Sequence, residues 1–323
     1  MNTLDHRFCV APMMDWTDRH DRMFLRQFSR HALLYTEMVT AAALRHGDAD
    51  YLLAHNPVEQ PVALQLGGSD PDELMAAAVL GAGAGYREIN FNVGCPSDRV
   101  QSGRFGACLM AEPELVAKCV TAMAAAVSVP VTVKCRIGID EQDNEAFLFQ
   151  FIEQIATSGC KTFIIHARKA ILSGLSPKQN REIPPLNYER VIAAKAHFPE
   201  LEIIINGGID SLVQARTFLQ AVDGVMLGRE AYQNPYLLHQ VDSEIFGETA
   251  ADRTRQQYLE QFLPYVEQEL ARGTPLHHIT RHTLGLFRGV KGGRQYRRHL
   301  SQHACDPGAG IAVLRDALNF VAG

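Results

Sequence analysis

Short runs rich in β-branched and apolar residues recur along this chain, and a helical pattern separates most of them from the next. The runs cover residues 8–13, 33–38, 62–66, 88–92, 131–136, 162–167, 203–208 and 224–229. Helical patterns fall at 19–29, 71–80, 113–126, 145–157, 188–197 and 211–219. Pro71 behind Ser69-Asp70 marks one helix start, and Asp210-Ser211 marks another. Strand–helix alternation of this kind implies a parallel sheet. Eight strands within about 230 residues predict a closed (β/α)8 TIM barrel. The competing doubly wound open sheet requires a glycine fingerprint after the first strand, and Ala11-Pro12-Met13-Met14-Asp15 has none.

The strand runs stop near residue 243. Residues 253–272 read as a helix with Tyr258, Phe262, Val266 and Leu270 on one face, which Pro264 is expected to kink or split. Thr274-Pro275 form a cap and first turn for a helix running to about Phe287. Glycines over 289–293 break it, 294–301 resumes as a short helix, and 311–321 forms the last. The expected organisation is a catalytic barrel over 1–243 and an all-helical C-terminal domain over 244–323.

A chain of 323 residues has room for both. Its 46% apolar and 21% charged content suits a soluble globular protein. No stretch approaches the ~18 uninterrupted apolar residues of a membrane helix. The segment from Met1 to Arg7 lacks the basic start and apolar run of a signal peptide, so a cytoplasmic location is expected. Cysteines stand at 9, 95, 108, 119, 135, 160 and 305. None forms a C-x-x-C pair, so no zinc or iron–sulfur site is expected. An odd count without a secretion signal argues against a disulfide framework, and most of these thiols should be buried. The formal charge of −5 argues mildly against nucleic acid. Its distribution argues otherwise: Arg272, Arg281, Arg288, Lys291, Arg294, Arg297 and Arg298 make the C-terminal part a basic patch.

In barrels of this class the active site lies at the C-terminal ends of the strands. Polar and glycine residues gather there: Pro12-Met13, Gln65, Asn92, Cys95, Lys134, His166, Asn206-Gly207-Gly208 and Gly228-Arg229. Glycine turns after strands seven and eight let backbone N–H groups approach a phosphate, and Arg229 can add charge. Lys134, aimed into the mouth, needs an anion or acceptor. A reduced flavin offers one at its N1/C2 edge, and Gln65 suits the pyrimidine edge. Singly, each is equally a satisfied core polar group; beside a phosphate site they suggest flavin mononucleotide (FMN). His166 faces the phosphate turns, as a ligand contact or a structural residue.

Gly94 and Pro96 place Cys95 in a loop rather than in a packed element. An inert loop cysteine accounts for the spacing almost as well. Reducing an activated C=C bond, however, needs hydride at one carbon and a proton at the other. A thiol with a pKa near ~8.5 is protonated at neutral pH and can supply that proton.

Ala11-Pro12-Met13, Gln65, Asn90-Phe91-Asn92-Val93-Gly94-Cys95-Pro96-Ser97, Gly103-x-x-Gly106-Ala107, Lys134-x-Arg136, His166-Ala167-Arg168, Asn206-Gly207-Gly208 and Gly228-Arg229 resemble the tRNA-dihydrouridine synthases. The likeness covers nearly the whole chain. The loop from Leu172 to Pro185 and Gly293-Arg294-Gln295-Tyr296-Arg297-Arg298 are similar to the A-type bacterial branch, which modifies uridines 20 and 20a of the tRNA D-loop. The resemblance implies FMN bound by Ala11, Pro12, Met13, Gln65, Lys134, His166, Asn206, Gly207, Gly208, Gly228 and Arg229, with NADPH as electron donor. It makes Cys95 the proton donor to uracil C5, with hydride going to C6. Asn92, Lys178, Arg181, Arg294 and Arg297 become tRNA contacts.

The residues support part of this on their own. Positions 167–185 form a long polar loop, and such loops are usually functional. Arg294, Arg297 and Arg298 are spaced to share one helix face, although a solvated charged face explains them equally. An FMN barrel acting on a free pyrimidine or other alkene is the competing enzyme; it needs no basic second domain. An RNA-binding protein without chemistry is the competing non-enzyme; it needs no Cys95 or Lys134. A monomer suits a large RNA ligand.

Overall fold

A computed structural model describes residues 4–97, 100, 103–249 and 252–321. The start of the N-terminal segment weighed as a signal peptide, Met1 to Thr3, lies outside them. Eight parallel strands close into a barrel in sequential order. They are β1 (Phe8–Val10), β2 (Leu33–Thr40), β3 (Val62–Gly67), β4 (Glu88–Asn92), β5 (Val131–Arg136), β6 (Thr162–His166), β7 (Glu202–Asn206) and β8 (Gly224–Leu227). β8 returns to β1 through Cys9 opposite Met226. The barrel is therefore the predicted one.

Several strands stop short of the expected ends, each for a local reason. Ala11 still donates to the Leu227 carbonyl (2.8 Å), and Pro12, with no N–H, continues no further. Gly207 and Gly208 sit at φ +114° and +69°, outside the strand region. The polar residues assigned to strand ends thus begin the loops of the mouth.

Helices α1 (Arg19–Leu25), α4 (Pro71–Gly83), α5 (Pro113–Ala126), α6 (Glu145–Ala156), α7 (Tyr188–His197) and α8 (Leu212–Phe218) cover the outside. Two short ones, α2 (Ala41–His46) and α3 (Ala49–Leu52), were not expected; Thr40 and Asp48 cap them through side-chain oxygens. Apolar residues of alternate strand positions, such as Leu64, Ile89, Val133, Ile165 and Ile205, pack against this outer layer. A smaller apolar cluster fills one side of the lumen with Cys9, Ala11, Leu33, Tyr35, Ala63, Ile164, Ile204 and Met226.

After β8 come α9 (Arg229–Gln233), α10 (Val241–Glu244), α11 (Arg255–Ala271), α12 (Leu276–Thr280), α13 (Gly293–His303) and α14 (Ile311–Leu318). Pro264 does not split α11, which runs unbroken for 17 residues. Pro264 and Glu260 are both exposed, so water can satisfy the carbonyl that proline leaves without a donor. The helix expected from Pro275 to about Phe287 ends instead at Thr280, followed by a 3-10 turn over Arg281–Thr283. Gly285 explains the break. A Cβ there would lie 2.7 Å from the carbonyl oxygens of Tyr232 and Gln233, so the chain has docked its backbone on α9.

These helices seat on α1. Phe24 meets Phe262 at 5.0 Å between ring centroids, and Phe28 meets Tyr258 at 4.5 Å. Arg19 pairs with the buried Glu269 at 2.8 Å, and His20 bonds the Tyr265 hydroxyl at 2.7 Å. Among the described residues no helix is long and apolar enough to cross a membrane.

Candidate active site

The turn after β4 is built around one amide. Asn92 Oδ1 accepts the backbone N–H groups of Gly94 (3.1 Å) and Cys95 (3.0 Å), an Asx-type closure. A Cβ on Gly94 would come within 3.3 Å of the Cys135 carbonyl carbon, so glycine lets the turn lie against β5. The Cys95 carbonyl accepts the N–H of Ala107 at 2.9 Å. Gly106 makes that approach possible: at φ +78°, a Cβ there would stand 2.5 Å from the Cys95 oxygen. The motif from Gly103 to Ala107 thereby holds the cysteine turn from its far side.

Cys95 is partly exposed, whereas Cys9, Cys119, Cys135 and Cys160 are buried, as expected for most of the set. Burial pushes the thiols of Cys119, Cys135 and Cys160 up to about 12. Cys108 is partly exposed and Cys305 exposed.

Three cations ring the turn. Lys134 Nζ donates to Asn206 Oδ1 at 3.1 Å, while Asn206 Nδ2 donates to the Met226 carbonyl at 2.7 Å. Burial, with Arg136 nearby, pulls the Lys134 ammonium down to about 8. Arg136 is buried and, among the described residues, finds no carboxylate. Its guanidinium donates to three carbonyls: Gly94 (2.8 Å), Lys169 (3.0 Å) and Asn180 (3.2 Å). Arg181, exposed on the 3-10 turn Gln179–Arg181, lies close enough to Arg229 and Cys95 to feel both.

Opposite them the glycines form a cradle. At Gly228 a Cβ would meet nothing nearer than Ala11 Cβ and Met13 Sδ, both at 3.8 Å, which joins the ends of β8 and β1 in one hollow. Met13 N–H is already given to Thr17 Oγ1 at 2.9 Å. His166 Nδ1 is buried without a hydrogen-bond partner. Burial, reinforced by Arg136 and Lys134, holds this imidazole well below its ordinary range and therefore neutral. An orphaned buried nitrogen within reach of Arg136 and Lys134, beside a glycine turn, fits an anionic, hydrogen-bonding ligand. Arg229 currently pairs with Glu182 at 2.9 Å on the exposed rim.

Gln65 is wholly buried and carries two bonds: Nε2 to Asn90 Oδ1 (2.7 Å) and Oε1 from Asn92 Nδ2 (2.8 Å). The loop at 167–185 is tied down by Asn180, which bonds the Ile171 carbonyl and N–H, and by Asp140, which accepts the Leu172 N–H. Lys178 rides on it, exposed and, among the described residues, without a carboxylate partner.

The structure therefore gathers Cys95, Asn92, Gln65, Lys134, His166, Asn206, Gly207, Gly208, Gly228, Arg229 and Arg181 at one mouth. Arg294 and Arg297 do not join it; they stand on α13, with Arg294 and Arg298 exposed and Arg297 half-buried. Among the described residues none of these three has a carboxylate partner, unlike Arg281 (Asp18) and Arg288 (Glu230). Arg136 was seen in the sequence only as part of a motif. Its two-residue offset from Lys134 already put it on the inward face. Among the described residues one trio, His31, Asp242 and Glu248, is close enough to hold a cation. Each of its carboxylate oxygens already accepts a protein hydrogen bond.

The fold is similar to that of morphinone reductase, with a TM-score of 0.52 at 13% identity over 78% of this chain and 88% of that one. A tRNA-dihydrouridine(20/20a) synthase of Shewanella oneidensis is 60% identical over 318 residues, covering 98% of this chain and 95% of that protein. The enzyme of the same description from Escherichia coli K12 is 60% identical over 317 residues, covering 98% and 92%. That from Vibrio cholerae is 59% identical over 313 residues, covering 97% and 95%. Residues 9–321 match the family described as dihydrouridine synthase, and the chain belongs to that family.

Proposed function

We propose that this chain reduces the C5=C6 bond of uridines 20 and 20a in the tRNA D-loop, holding FMN and drawing electrons from NADPH. Bound FMN, once reduced, supplies the hydride for uracil C6. The chain's residues bind, orient and move the proton. Gly207, Gly208 and Gly228 offer backbone N–H groups to the phosphate, and Arg229 exchanges Glu182 for it. Gln65 is assigned to the pyrimidine edge, Lys134 to the N1/C2 edge, and the free nitrogen of His166 to a ligand acceptor or donor. Ala11, Pro12, Met13 and Asn206 complete the wall.

Cys95 delivers its proton to C5: the S–H bond breaks, a C–H bond forms, and the thiolate is later reprotonated from solvent. Lys134, Arg136 and Arg181 all lie within electrostatic reach of that sulfur. Asn92 also contacts the substrate nucleotide. Lys178, Arg181, Arg294 and Arg297 bind tRNA, with 1–243 as the catalytic barrel and 244–323 as the tRNA-binding domain. The target uridine leaves its stack to reach the mouth. A cytoplasmic monomer suits such a ligand.

The observation that carries this reading is the setting of Cys95, a partly exposed thiol within electrostatic reach of Lys134, Arg136 and Arg181. Lys178, Arg294, Arg297 and Arg298, without a carboxylate partner among the described residues, favour tRNA over a free pyrimidine, which would need none of them. The test is incubation with NADPH, FMN and tRNA lacking dihydrouridine, followed by mass mapping. Dihydrouridine at 20 and 20a is expected; its absence from tRNA, with turnover of free uracil instead, overturns the reading.

A further inference from the structure

The barrel lumen is not apolar all round. Along β4 and β5 a line of polar side chains runs from the floor to the Cys95 turn. At the floor His6 Nε2 meets Glu88 Oε2 at 2.6 Å, and His6 Nδ1 meets Glu202 Oε1 at 3.0 Å. Burial opposes a charge on His6, but the two carboxylates outweigh it and push the imidazole up to about 10. Glu88 Oε1 accepts from the Tyr35 hydroxyl (2.9 Å) and the Thr132 hydroxyl (2.6 Å).

From there every link is forced. Thr132 spends its single proton on Glu88, so its oxygen must accept, and Asn90 Nδ2 donates to it at 2.8 Å. That turns Asn90 Oδ1 toward Gln65, whose Nε2 donates at 2.7 Å. Gln65 Oε1 then faces Asn92, whose Nδ2 donates at 2.8 Å. Asn92 Oδ1 is left pointing at the turn, where it accepts the N–H groups of Gly94 and Cys95. An amide flip anywhere would set donor against donor in a buried site. A carboxylate at the floor and two backbone N–H groups at the mouth, at opposite ends, demand the same direction.

We propose that Glu88, Thr132 and Asn90 are positioning residues, forming a one-way hydrogen-bond chain that fixes the amide orientation of Gln65 and Asn92 and so holds the Cys95 turn. The chain's catalytic meaning rests on the proposed role of Cys95; its existence does not.

Thr132→Val removes the hydroxyl and keeps the shape; Glu88 loses that donor but keeps His6 and the Tyr35 hydroxyl. In the full-length protein, amide hydrogen exchange over Gly94 and Cys95 is expected to quicken roughly tenfold, the scale of one lost hydrogen bond. Peptides of β1, β8 and α11 should exchange as in wild type. Oxidation of the reduced, FMN-loaded protein by tRNA should slow by a similar factor. Thr132→Ser restores both. Should the valine variant fold poorly, Asn90→Leu cuts the chain one link higher, away from the floor, with the same expected pattern. Unchanged exchange at 94–95, or faster exchange spread evenly through the barrel and not rescued by serine, overturns the inference. If wild-type reduced protein is not oxidised by tRNA, the proposed reaction falls, and the exchange result still decides the chain.

Discussion

The mouth and the α13 stripe are both basic, yet their cations are held in opposite ways. Arg136 is buried, and its donors are committed to the carbonyls of Gly94, Lys169 and Asn180. Arg294 and Arg298 stand in solvent and, among the described residues, have no carboxylate partner. A cation whose bonds are fixed can set geometry. One whose bonds are open can only attract charge. The protein carries a formal charge of −5, so an unneutralised stripe is a local departure from its own average. The two regions divide the proposed work: one places a uridine against a thiol, the other brings RNA to it.

The sharpest break in this comparison lies at Cys95. Cys95→Ala is expected to lower dihydrouridine formation ~10²–10⁴-fold, the usual contribution of acid catalysis. FMN affinity and tRNA affinity should hold. Single-turnover mapping of tRNA checks the rate, and flavin fluorescence checks the binding. A variant that works at the wild-type rate removes Cys95 as the acid.

The barrel floor offers the next contrast with the exposed stripe. His6 titrates near 10 when folded and near 6.5 when unfolded, so the folded state binds its proton more tightly. The stability this contributes is fully present below pH 6.5 and is lost as pH rises through about 10. The unfolding free energy from urea titrations should therefore fall between pH 7 and 10, with a limiting slope of about 1.4 kcal/mol per pH unit. His6→Gln should flatten that slope. Because the pair with Glu88 is buried, added salt should change it little, whereas binding through the stripe should be strongly salt-dependent.

Arg136 tests the mouth's own logic. Arg136→Met keeps the bulk and removes three donors, freeing the Cys95 turn from the loop at 167–185. A misplacement of about 1 Å can cost ~10²-fold, so a fall of ten- to a hundredfold in kcat is expected. KM for tRNA should change less, because Lys178 remains. A KM effect with kcat intact would make Arg136 a substrate contact rather than an anchor.

Much of this was legible from period and loop chemistry. Alternation by two put Lys134 and Asn92 on inward faces, and the Gly94–Pro96 bracket set Cys95 in a turn. The glycine cradle followed from which strands come seventh and eighth. Glu88 and Thr132 carried no reading in the sequence, and Asn90 stood there only inside a motif, because an isolated polar residue in an apolar strand does not announce its partner; only the closed barrel brings β3, β4 and β5 into register. The helix expected to reach Phe287 failed for a similar reason. Its local pattern is helical, and the close contact of Gly285 with α9 is a tertiary fact. Pro264 erred the other way, since exposure of Glu260 lets water repair what proline removes.

The smallest expected effect belongs to the stripe, and it separates attraction from placement. Arg294→Ala with Arg297→Ala should weaken tRNA binding and flatten its salt dependence. Each lost phosphate contact is worth roughly 0.9 units of log–log slope on a duplex and ~0.7 on a single strand. The loss should be confined to binding: at saturating tRNA the single-turnover rate should match wild type, because neither arginine touches the mouth. Arg281→Ala is the control, since that cation is already neutralised by Asp18 at 2.5 Å. An equal loss of slope from Arg281 would mean that the basic patch acts as a diffuse field. A slope lost only from Arg294 and Arg297 makes α13 a surface that follows particular phosphates.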